Sequence, residues 1–80
     1  MFGTSTKYED AAESFKKAGN CYKISQMWKE ASEAYGKAAE NYQLSKDDHE
    51  TANAHLDAAK CLKNVSPGDA IESYLKVIDL

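Results

Sequence analysis

The sequence predicts an all-α chain: antiparallel helical hairpins stacked as a right-handed α-solenoid. Three observations predict it. Amphipathic helical periodicity fills nearly all 80 residues, one stripe of aromatic and small side chains recurs about every twenty residues, and the breaks between stripes are very short. Connections that short fold each helix back against the one before. Four helices are expected, over about 6–24, 26–44, 46–64 and 67–80.

The second helix shows the unit most clearly. At about 100° per residue, Trp28, Ala31, Tyr35, Ala38, Ala39 and Tyr42 share one arc, and Lys29, Glu30, Glu33, Lys37 and Glu40 lie outside it. Helix one carries the same stripe twenty residues earlier: Tyr8 stands for Trp28, Phe15 for Tyr35, Ala18-Gly19 for Ala38-Ala39 and Tyr22 for Tyr42. Thr6-Lys7-Tyr8-Glu9 reads as the capping box that starts it. Gly19, in the small pair, costs roughly 1 kcal/mol of helix propensity against alanine, which points to close packing at that position. Ser25 is a candidate cap for helix two, and Ser45-Lys46-Asp47-Asp48 repeats the cap pattern for helix three. In helix three His55 takes the aromatic place, Ala58-Ala59 the small pair and Leu62 the Tyr42 place. Ser66-Pro67-Gly68-Asp69 opens helix four, with proline at the first helical position. The pattern still runs at Val77-Ile78-Asp79-Leu80, so residues 1–80 read as a single tetratricopeptide-like (TPR-like) repeat unit, a fragment of a longer α-solenoid.

Composition narrows the function. The chain is 42% hydrophobic and 29% charged with a formal net charge of −3, and its ten basic residues are all lysines interspersed with acids. That balance disfavours nucleic acid as a partner. The longest apolar run falls far short of a membrane span, and Met1-Phe2-Gly3-Thr4 lacks the regions of a signal peptide, so the chain reads as cytoplasmic. Cys21 and Cys61 stand forty residues apart beside the core stripe and read as buried free thiols.

No active site is legible. His49-Glu50 and His55 invite a metal-dependent hydrolase reading, but the two histidines are six apart and point about 120° away from each other on a helix. His49 therefore reads as surface and His55 as a half-buried stand-in for an aromatic. The four glycines are scattered, so no phosphate loop forms, and no small-molecule substrate or cofactor is expected. The aromatic stripe reads as core. What remains is a row of lysines, Lys17 and Lys37 ahead of the small pairs with Lys60, Lys63 and Lys76 beyond them, as candidate partner contacts.

Particular residues carry a family resemblance. Phe2 to Ala12, Ala18-Gly19-Asn20, Trp28, Ala38-Ala39, the run His55 to Lys63 and Pro67-Gly68-Asp69-Ala70-Ile71 together resemble the amino-terminal part of the soluble NSF attachment proteins (the SNAP family), the alpha type especially. The resemblance implies a non-enzymatic adaptor. Such proteins lie along SNARE helical bundles in several copies and present them to the AAA ATPase NSF for SNARE disassembly, in vesicle fusion and intracellular transport. By resemblance, Lys17, Lys63 and Lys76 stand where family members carry basic bundle contacts, and Phe2 belongs to a loop that touches membrane, which makes peripheral membrane association part of the expectation. Lys37 and His55 depart from the family pattern. The alternative of the same broad kind is a TPR or microtubule-interacting-and-trafficking (MIT) type peptide-binding module that grips one short segment between helices.

Overall fold

The computed structural model describes residues 2–65 and 75, with side chains from Thr6 onward. The described chain is helical: α1 is Phe2–Ile24, α2 is Trp28–Leu44 and α3 is Asp48–Leu62. Successive helices run antiparallel, and α2 packs against both α1 and α3. The expected fourth helix, 67–80, lies outside the described residues apart from Leu75, which is helical.

The two connections are copies of one turn, and they set the helix boundaries. After α1, the Gln26 N–H bonds the Lys23 carbonyl and the Met27 N–H reaches the Tyr22 carbonyl; after α2, Lys46 bonds Gln43 and Asp47 reaches Tyr42 in the same pattern. This double closure is the Schellman arrangement, a six-residue motif whose second-from-last residue is left-handed. Gln26 (φ 60°) and Lys46 (φ 64°) occupy that place, although neither is glycine. A left-handed residue cannot sit inside a right-handed helix, so α2 starts at Trp28 and α3 at Asp48, each two residues later than the stripe predicts.

Capping also differs from expectation. Ser25 does not cap α2; the cap position is Met27, with no side-chain hydrogen bond. Asp47, not Ser45, caps α3, its Oδ1 accepting from the Glu50 N–H at 3.1 Å. Ser45 instead closes α2, donating its hydroxyl to the Tyr42 carbonyl. Thr6-Lys7-Tyr8-Glu9 lies inside α1, which is already helical from Phe2: once a helix is nucleated, each further residue adds a hydrogen bond, and neither Gly3 nor Thr6 is enough to stop it. At the other end α3 stops at Leu62, and residues 63–65 close a tighter turn.

Alanine makes the core close-packed. Ala12, Ala38, Ala39, Tyr42 and Ala54 form one buried cluster with Phe15 against it; Ala31, Tyr35, Ala58 and Cys61 form a second with Trp28 against it. Small side chains at these places let the helix backbones approach, and the aromatic rings fill what remains. Tyr35 is fully buried, its hydroxyl donating to Asn20 Oδ1 on α1. Gly19 lies directly beneath it: a Cβ there would stand 2.8 Å from the ring. Tyr22 and Cys21 are exposed rather than buried, because α1 is nearly at its end there and α3 does not cover that side.

Gly19→Ala should therefore lower stability: overpacking against a hydrogen-bonded ring costs about 1–3 kcal/mol, outweighing the roughly 1 kcal/mol gained in helix propensity. Gly36→Ala meets nothing within 4 Å. It should raise stability by about 0.5–1 kcal/mol. Chemical denaturation midpoints of the two variants should move in opposite directions.

Candidate interaction surface

Among the described residues, clefts lie on both sides of α1. The first, between α1 and α2 on the side away from α3, is lined by Phe15, Ala18, Tyr22, Glu33, Ala34 and Lys37. The second runs across the array from α1 to α3 and is lined by Glu13, Lys16, Lys17, Asn20, Tyr42 and Glu50. In it Lys16 Nζ stands 3.7 Å from Glu50 Oε1, tying α1 to α3 over Tyr42. Both side chains are partly exposed, so this pair contributes little to stability.

Two of the candidate lysines do not share a cleft. Lys17 is exposed on the α1–α3 groove, whereas Lys37 is exposed in the α1–α2 cleft, its Nζ 5.7 Å from the centre of the Phe15 ring. The helical turn carries Lys17 and Lys37 to different sides once α3 is laid over one of them. Lys63 is exposed at the end of α3, and Lys76 lies outside the described residues. Phe2 opens α1, and its side chain lies outside the described ones. His49 is exposed and His55 half-buried, and among the described residues no three His, Cys, Asp or Glu side chains converge on one point.

The grooves owe their chemistry to burial and carboxylates. Burial, and then Glu50, Glu13, Asp47 and Glu9, push the Tyr42 phenol above its ordinary value. Burial likewise raises the Cys61 thiol, with Lys23 opposing and Asp57 reinforcing it, so Cys61 is a packed, protonated thiol without the character of a nucleophile. Tyr35 is pushed up to about 12 by burial, then by the Asp57 and Cys61 charges. Lys16, Asn20 and Glu50 were not legible as site residues, because the pairing of α1 with α3 crosses α2 and leaves no local spacing to read.

Across residues 1–80 the chain matches the family described as "Soluble NSF attachment protein, SNAP". The chain belongs to the soluble NSF attachment protein family. It is 42% identical over 71 residues to an alpha-soluble NSF attachment protein of Vitis vinifera, covering 89% of this chain and 24% of that protein. It is 30% identical over 80 residues to the Homo sapiens alpha protein and to the Bos taurus beta-soluble NSF attachment protein, in each case 100% of this chain and 27% of the relative. The chain thus spans about a quarter of the length of the relatives it matches. No solved structure matches it.

The raised Tyr35 phenol makes stability depend on alkali. An ordinary phenol titrates at 10.0, and folded Tyr35 holds its proton to about 12. Between these values the unfolded chain releases a proton that the folded chain keeps; the contribution is whole below the lower value and is lost as pH rises toward the upper. Denaturation midpoints should fall across that window, with tyrosinate absorbance appearing late for Tyr35, and Tyr35→Phe should remove part of the fall.

Proposed function

We propose that the chain is a non-enzymatic adaptor segment that binds assembled SNARE helical bundles and takes part in presenting them to the AAA ATPase NSF, in the cytoplasm and at the membrane periphery. The observation that carries this reading is the family match over the whole chain. The fold supports it physically: the helical array presents exposed lysines such as Lys17 and Lys63 on a packed frame. Binding energy then comes from many modest polar contacts, summed by avidity among copies.

Lys17, Lys63 and Lys76 are the proposed bundle contacts, Lys37 reports on the separate α1–α2 cleft, and Phe2 is the proposed membrane contact. Replacing Lys17, Lys63 and Lys76 together by glutamate should weaken binding to an assembled four-helix SNARE bundle and reduce its salt sensitivity. Unchanged affinity would mean another face binds. A chain that binds short isolated peptides and not the bundle would be a peptide clamp of the TPR or MIT kind, with the α1–α3 groove as its site. Phe2→Ser should reduce sedimentation with lipid vesicles; no change would remove Phe2 from the membrane contact.

A further inference from the structure

The two turns share one backbone arrangement and are finished with different side chains. Ile24 and Leu44 occupy equivalent places, each the last residue of its helix, and are 80% and 57% exposed. Beyond them the turns part. Asp47 follows Leu44 and caps α3 with its carboxylate, whereas Met27 follows Ile24, makes no side-chain cap bond and is 42% exposed. Antiparallel packing brings Val65, exposed just beyond α3, to the end that holds Ile24 and Met27. Apolar side chains from three places in the chain thus project at one end.

Lysines surround them. Lys23, Lys29, Lys60 and Lys63 are exposed at this end, against Glu30. Helix dipoles account for Lys23 and Lys60, which stand in the last turns of α1 and α3. They do not account for Lys29, at the amino end of α2, where the dipole disfavours a cation. Neither cleft beside α1 is lined by Ile24, Met27 or Val65. Apolar side chains that project among fixed positive charges, outside those clefts, suit a fluid anionic surface: headgroups meet the lysines and the apolar tips enter between them, with no matching shape required.

We propose that the α1–α2 turn and the end of α3 form a docking surface for anionic lipid, with Ile24, Met27 and Val65 entering the headgroup layer and Lys23, Lys29, Lys60 and Lys63 meeting its negative charge. Phe2 opens the other end of the 23-residue α1, about 33 Å away. The lysine end is therefore a second, separate lipid contact, and its failure leaves the adaptor reading intact.

Co-sedimentation of the 80-residue chain with phosphatidylcholine vesicles, with and without phosphatidylserine, tests it. Each lysine near such a surface strengthens binding about fivefold, so phosphatidylserine should raise partition at least about tenfold. Salt at about 1 M, which cuts the reach of charge to about 3 Å, should remove that gain. Lys29→Glu with Lys60→Glu should abolish it. Ile24→Ser with Met27→Ser should weaken binding to the phosphatidylserine vesicles at least about threefold. Phe2→Ser should lower binding to both vesicles alike and leave their ratio unchanged. Equal partition onto the two vesicles, a gain unchanged in the lysine variant, binding unchanged in the apolar variant, or a gain lost in Phe2→Ser overturns the proposal. So does a lysine variant that keeps its lipid gain and loses affinity for an assembled four-helix SNARE bundle, which assigns this end to an acidic protein surface instead.

Discussion

The seat of the Tyr35 ring on Gly19 sets how closely α1 and α2 approach, and much of the array is arranged around that contact. The ring is fully buried, its hydroxyl bonds Asn20 one residue beyond the glycine, and Lys23 Nζ stands 6.0 Å from its centre one turn later. On its other side the same ring meets the cluster that includes Ala58 and Cys61 of α3. A single side chain of α2 thus fixes its position against both neighbours. Burying such a ring contributes about 1.5–3 kcal/mol, a large share of what an alanine-rich core of this size supplies.

The alanines around it serve geometry more than energy. Each buries little surface, but together they bring three backbones close enough that the long polar side chains are turned outward on both broad faces. Twin left-handed turns at Gln26 and Lys46 then keep the helices in antiparallel register without help from glycine. Lysines and carboxylates stand on this frame at definite places because the frame has few ways to repack. That is the physical basis on which a packed helical frame can act as a binding surface.

The two clefts beside α1 differ in character for a topological reason. Toward α3 the groove is polar and bridged by Lys16 and Glu50; away from α3 the cleft keeps Phe15 and Tyr22 partly uncovered, with Lys37 lying over the Phe15 ring. An amphipathic stripe wider than one neighbour can cover leaves this remainder. The lysine stem and the ring shield each other there, which is why Lys37 serves packing as well as charge.

Periodicity alone determined the helical class, the hairpin connectivity, the inward alanines and the special role of Gly19, because burial on a helix imposes a 3.6-residue rhythm that composition cannot disguise. The family was legible by resemblance and not by periodicity, from runs such as Phe2 to Ala12, Ala18-Gly19-Asn20 and His55 to Lys63. Tertiary structure decided the rest. Left-handed Gln26 and Lys46 moved the starts of α2 and α3, Asp47 replaced Ser45 as a cap, and the earlier start of α1 took Thr6 out of its expected role. Tyr22 and Cys21 lie on the stripe yet are exposed, since a stripe states which face can be buried and only a neighbouring helix buries it. Lys17 and Lys37, equivalent in the repeat, face different clefts for the same reason: equivalence along the chain is not equivalence in space once α3 covers one side and nothing among the described residues covers the other.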